Sequence, residues 1–484
     1  MEQDRKVIQF LKGSSILIIA NVVLKAINFF LLPLYTDYLN PTELGITDLI
    51  TTFTSFLFPI LVMGLDSAFS AFFYEQKTEE HQKKVFNTIW FTLFLTSIIP
   101  LILIFFASRI SYLLFDTTEH AWLVRIALFS ISINLWYLPY SLTLRMQNKM
   151  AAFGFVNIVA SITLIFSNIL FLVIFNLSTY SLIISTFLSH LVQLILYIVI
   201  LKESPSRNKI DNKLRKAMLK FAIPLVPTVV SAWALSMSDR FIIKMYLGEE
   251  AVGIYGIAAR FAAVLAIISG SVHTAYSAFA FNKKDDADAK IQFKRVLNGF
   301  FFILLVICFT VSLFGKQIII LMTNKAYYSA FYILPGVLFG QLSYAVNTIT
   351  GYGISFAKKT VYSLIATTAG ALTSIVLNFL LIPRFGLVAS GHVNFISYLI
   401  MCILAYYFSQ KVYPCDYGIW KIFAIMLLSY FMVYISIDLN VYMKLIICFF
   451  NLLIICFLFK DVLLDYRLLA KEVTININKK KRKK

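Results

Sequence analysis

Several groups of side chains in this sequence have the type and spacing to bind a polar or anionic molecule. Asn21, Lys25 and Asn28 stand at i, i+4 and i+7, so one helix face carries an ammonium between two amides. Arg260 shares a face with Gly256, Ala263, Ile267 and Gly270. Its guanidinium is a permanently charged planar fork that holds phosphate or carboxylate oxygens through two parallel hydrogen bonds. Asp48, Thr52, Ser55 and Pro59 form another stripe, with Asp66 further on. Gln341, Tyr344, Thr348 and Gly351, with Asn347 beside them, make a polar face that can hold hydroxyl groups or bond to a neighbouring helix. Asp239-Arg240, His190 and His273 are further ionisable groups in apolar surroundings. This chemistry binds rather than cleaves. There is no Walker loop for ATP hydrolysis, and no Cys-x-x-Cys or Cys/His spacing that suggests a metal site or a disulfide among the five cysteines, so no cofactor is expected.

The elements that position these groups follow from composition. The chain has 484 residues, 60% hydrophobic and only 14% charged, with 46 Phe, and its mean hydropathy is +0.81. That leaves too little polar surface to cover a water-soluble globule. Runs such as "IWFTLFLTSIIPLILIFFA" (89–107) and "LIICFFNLLIICFLF" (445–459) are continuous rather than alternating, so they predict membrane-spanning helices and not barrel strands. The pattern predicts an all-α membrane protein of about fourteen spans, including 14–35, 44–73, 217–243, 251–281 and 330–356. The first span has no small-residue cleavage site after it and reads as a retained helix. Most of the 43 Lys and Arg fall in alternate loops, in the linker "KESPSRNKIDNKLRK" and after the last span. Positive charge marks the cytoplasmic side, so both termini are expected there. The net charge of +19 is largely this asymmetry plus the tail "NKKKRKK", which suits anionic lipid and calls for no nucleic acid.

One corner is written twice. "YLNPTELGITDL" from Tyr38 and "YLGEEAVGIYGI" from Tyr246 lie 208 residues apart, and the offset places Gly45 on Gly253 and Ile46 on Ile254. The interval covers six spans, an even number, so the copies are expected to be parallel repeats about an axis along the membrane normal. The expected organisation is an N-lobe (1–201), a cytoplasmic linker (202–216), a C-lobe (217–410), two extra spans (411–459) and a basic tail (460–484).

The segments "LLPLYTDYLNPTELGITDLI" (31–50), "GLDSAFSAFFYEQ" (64–76) and "FAIPLVPTVVSAWALSMSDRFIIKMYLGEEAVGIYGIAARFA" (221–262) resemble the polysaccharide biosynthesis proteins. These are the O-antigen and capsule repeat-unit flippases of the multidrug/oligosaccharidyl-lipid/polysaccharide exporter superfamily. The resemblance implies a transporter rather than an enzyme. Such a transporter would move an undecaprenyl-pyrophosphate-linked oligosaccharide across the bacterial inner membrane by alternating access. It leaves open polymerase and chain-length proteins as partners and coupling to H+ or Na+.

A charge at membrane depth costs about 2.5–3.5 kcal/mol on insertion scales, so it usually faces a water-filled path. On that ground Lys25 and Arg260 are expected to line a cationic chamber, with Asn21, Asn28, Asp48, Gln341, Tyr344 and Asn347 around it. The bland alternatives stay open. Lys25 can snorkel, and Arg260 can pair with Asp239 or another acid. Asp48 can be merely solvated. Asp239 and Arg240 point about 100° apart, so they are not expected to face one partner, and a fold-stabilising pair is the expected role; Asp66 is expected to pair with a loop Lys. His273 and His190 are open to proton coupling or packing. A multidrug or cation antiporter of the same superfamily is the alternative function. A glycan polymerase or ligase would need a larger outer loop than "GKQIIILMTNKAYYS" (315–329).

Overall fold

The computed structural model describes residues 29–76, 78–203, 205–206 and 210–460. Asn21, Lys25, Asn28, most of the expected first span and the tail from 461 lie outside the described residues. Among the described residues every regular element is a helix. The main ones are α1 (Leu32–Tyr38), α2 (Pro41–Val62), α3 (Leu65–Phe72), α4 (Glu79–Thr96), α5 (Ala121–Met146), α6 (Met150–Ile169), α7 (Thr179–Leu201) and α8 (Asn212–Ala222). They continue with α9 (Val226–Met237), α10 (Asp239–Lys283), α11 (Ala289–Leu313), α12 (Leu334–Thr350), α13 (Thr360–Phe385), α14 (Leu387–Val412), α15 (Ile419–Ser436) and α16 (Val441–Leu458), with short helical turns between several of them.

Eleven helices among the described residues are long and apolar enough to cross a membrane, or twelve when the bent pair Lys325–Tyr332 and Leu334–Phe356 (51°) is counted as one span. Large apolar side chains stand outward on them, Phe105 at 86% and Ile435 at 81% exposure. Lipid, not water, is the solvent that tolerates such a surface. The chain is a multi-pass membrane protein.

Local chemistry sets the helix boundaries and corrects two expected spans. The span 44–73 is two helices, because Met63 (φ 52°) and Gly64 (φ 71°) are consecutive left-handed residues that end α2 before α3 begins. The span 217–243 is also divided. Pro224 and Pro227 remove backbone donors, and the turn Ile223–Leu225 separates α8 from α9. Within α10 the helix is interrupted at Gly248, whose φ of 81° with ψ of 179° is open only to glycine.

Packing divides the chain into two compact units. The first holds the described residues up to Arg260 with Thr323–Tyr327 and Ser374–Leu387; the second holds Phe261–Met322, Tyr328–Thr373 and the described residues from Val388. This boundary falls inside α10, whereas the sequence repeat places its linker at 202–216. Within the first unit α7 lies along both α5 and α6, α2 packs on α5 and α9, and α8 packs on α3. In the second, α11 packs on α12, α15 and α16.

Candidate functional site

The two copies of the corner meet. Asn40 caps α2: its side chain accepts from the Glu43 N–H at 2.9 Å while the Glu43 carboxylate accepts from the Asn40 N–H at 2.9 Å. Pro41 fills the first turn, where its missing N–H is not needed. Gly248 stands at the matching place of the second copy and starts the helical stretch 249–283. A Cβ on Gly45 would lie 1.8 Å from the Glu249 carbonyl oxygen, and a Cβ on Gly253 would lie 1.9 Å from the Pro41 carbonyl oxygen. Gly45 matches Gly253 and Pro41 matches Glu249 under the 208-residue offset, so each copy offers the other the same surface. That reciprocity is the local signature of a two-fold relation. Glycine is what allows two backbones in lipid to approach so closely.

Past the crossing the symmetry is broken by charge. Asp48 faces Gly256, its own counterpart, and a Cβ there would fall 2.0 Å from Asp48 Oδ2. Through that gap the carboxylate reaches Arg260, with Nη2 donating to Oδ1 at 2.8 Å and Nη1 to Oδ2 at 3.1 Å. The pair is bidentate, and its side chains are only 16% (Asp48) and 29% (Arg260) exposed. Arg260 matches Thr52, so one copy supplies the acid while the other supplies both the base and the space. Tyr327 donates its hydroxyl to the Leu39 carbonyl at 2.9 Å, and the Asn324 amide donates to the Thr36 carbonyl. Trp233 Nε1 donates to Ser55 Oγ at 3.0 Å, which ties α9 to α2. Arg260 is therefore not an uncompensated cation: of its two readings the structure has the ion pair, with Asp48 rather than Asp239.

Asp239 and Arg240 do share a partner, contrary to the expectation from their helical angle. Tyr255 donates its hydroxyl to Asp239 and lays its ring 5.5 Å from the Arg240 guanidinium carbon. Arg240 also bonds Asp239 Oδ1 through its own N–H at 2.9 Å and through Nη1 at 3.3 Å. A long arginine can fold back along its helix, and a tyrosine offers a polar tip and a ring face at once. The cluster is closed, with Asp239 1% and Arg240 9% exposed. Asp66 is exposed in the first turn of α3, and among the described residues no ion pair joins it to a lysine. His273 is exposed and lies 3.3 Å from the Tyr352 hydroxyl. Gln341, Tyr344 and Asn347 fall on the less buried face of α12, whereas Ser343 and Val346 between them are buried. Lys444, which the sequence reading passed over, is fully buried and donates to the Ile437 carbonyl at 2.8 Å.

The site is thus a partly buried ion pair beside a close glycine crossing, carried on membrane-spanning helices. The chain belongs to the polysaccharide biosynthesis protein family, whose sequence profile matches residues 38–331. Its fold is similar to that of a solved structure described as the lipid II flippase MurJ in an inward closed conformation, at 18% identity and a TM-score of 0.68, covering 94% of this chain and 100% of that one. It is also similar to a multidrug resistance MATE family transporter of the MOP superfamily. In the inward-facing conformation the identity is 14% and the TM-score 0.62, covering 81% of this chain and 94% of that one. In the outward-facing conformation the values are 16% and 0.56, with 83% and 94% covered. Among curated protein sequences none matches.

Proposed function

We propose that this chain flips a polyprenyl (undecaprenyl) pyrophosphate-linked oligosaccharide across the bacterial inner membrane by alternating access, supplying repeat units for O-antigen, capsule or exopolysaccharide. The supporting observation is the bidentate Asp48–Arg260 pair in a chain of a polysaccharide biosynthesis family. A diphosphate offers the guanidinium the same paired oxygens as the carboxylate, so it can take Asp48's place. Lys25 is the second cation on sequence grounds, and Gln341, Tyr344 and Asn347 are hydroxyl-binding groups. The lobes 1–201 and 217–410 rock about the cargo, H+ or Na+ supplies the drive, and a polymerase with its chain-length regulator receives the product. The chain acts as a carrier and not as an enzyme.

A multidrug or cation antiporter, the second reading, needs a membrane carboxylate free to take a cation. Asp48 and Asp239 are both already bonded to arginine, which disfavours it. Deleting the chain from its source cell should reduce surface polysaccharide to background and cause lipid-linked repeat units to accumulate. Undiminished polysaccharide with increased drug sensitivity would instead select the antiporter. For topology, a phosphatase reporter that is active only outside the cytoplasm should stay silent when fused to the carboxyl end. A strong signal there would overturn the cytoplasmic placement of that terminus.

A further inference from the structure

Midway along α2, α5 and α7 lies a cavity of about 310 Å³, at the lower end of the size range of small-molecule sites. It begins one helical turn past Asp48, and no charged residue lines it. Its hydrogen-bonding capacity is weighted toward acceptors. Thr51, Thr54, Ser55 and Thr186 each donate their single hydroxyl proton to a carbonyl of their own helix, at 2.8, 3.0, 2.8 and 2.8 Å. What the three threonines turn to the cavity is therefore oxygen lone pairs, while Ser55 Oγ also accepts from Trp233 Nε1 and keeps one lone pair. His190 Nδ1 is engaged by Ser130 Oγ at 2.8 Å, which leaves Nε2 uncommitted by that bond. Asn134 lines the cavity and has no hydrogen-bond partner among the described residues, so its amide is available both to donate and to accept. Phe58, Ile50 and Ile131 supply apolar wall.

We propose that this cavity is a subsite for a neutral sugar ring, the first residue or residues of the oligosaccharide head. An acceptor-rich, uncharged wall suits a ligand whose periphery is hydroxyl protons and whose faces are C–H. It repels the oxygens of a phosphate, which can only accept. A bare cation would find lone pairs but no carboxylate, and the volume is far larger than one ion. The inference rests on the flippase reading, because a diphosphate on Arg260 would leave its glycan one turn away along α2.

The test combines export with direct binding. Thr54→Val/Asn134→Leu removes a lone-pair oxygen and the free amide, and at parental abundance it should lower surface polysaccharide at least tenfold while lipid-linked precursor accumulates. Leu113→Ala, on an exposed apolar position elsewhere, should keep parental export. With the full chain in nanodiscs, D-glucose, D-galactose and N-acetylglucosamine should give saturation-transfer NMR signals on ring protons that the double variant loses. Parental export by that variant overturns the subsite, as do absent sugar signals in the parent or signals unchanged in the variant. Stabilisation by sodium chloride that the variant abolishes, without sugar signals, would make the cavity an ion site. If deleting the whole chain leaves surface polysaccharide intact, the flippase reading fails, and the sugar signals still decide the cavity.

Discussion

Gly45→Ala and Gly253→Ala should each destabilise the folded chain by about 1–3 kcal/mol, the usual cost of forcing extra volume into packed structure. The added methyl would have to retreat about 1.5 Å to reach ordinary contact, since it starts 1.8–1.9 Å from a carbonyl oxygen and backbone cannot swing aside as a side chain can. Both substitutions act on one crossing, so the double variant should lose less than the sum of the singles: once either methyl has parted the helices, the other finds room. Gly270→Ala is the control. Nothing lies within 4 Å of its Cβ, so the change should be neutral or stabilising by up to about 1 kcal/mol through helix propensity. Denaturant midpoints of the nanodisc-embedded variants read all four. A Gly45→Ala that behaves like Gly270→Ala, or strict additivity of the pair, would rule out the reciprocal contact.

That crossing was half legible in the sequence. The 208-residue offset identified the two corners and matched Gly45 to Gly253, because loop chemistry and small residues leave a local signature. It did not say that the corners touch. Touching is a property of the folded pair, and no periodicity along one helix encodes which other helix it meets. Arg260 and Asp48 were both singled out by their charge in apolar context, yet their pairing was missed because they lie 212 residues apart and Gly256, the residue that makes room, looked like one small residue on Arg260's face. The membrane class was readable from hydropathy alone, since lipid imposes helices on any long apolar run. The breaks at Met63-Gly64 and Ile223–Leu225 were not, because apolar residues flank both sites and hydropathy is blind to backbone sign and to proline. The polar wall of the α2–α5–α7 cavity was scattered as single Thr, Ser, Asn and His residues on three helices, and only folding collects them.

Arg260→Gln should leave the partly buried Asp48 carboxylate uncompensated and cost about 3 kcal/mol, the lower edge for breaking a buried pair because both groups keep some exposure. Asp48→Asn should cost a similar amount by stranding the guanidinium. Asp48→Asn/Arg260→Gln removes both charges and should recover most of the loss, since a neutral polar pair of similar size has no charge to desolvate. Stability alone does not separate a strut from a substrate grip, but export does. If a diphosphate displaces Asp48 from Arg260, Asp48→Asn removes the competitor and should export at or above the level expected from its abundance. Arg260→Gln and the double variant lose the cation and should both fall at least tenfold in surface polysaccharide per molecule. If the pair is only a strut, the two single variants fail alike and the double variant restores export together with stability. The double variant is decisive because the two roles give it opposite outcomes: a strut needs matched partners, whereas a diphosphate needs the arginine.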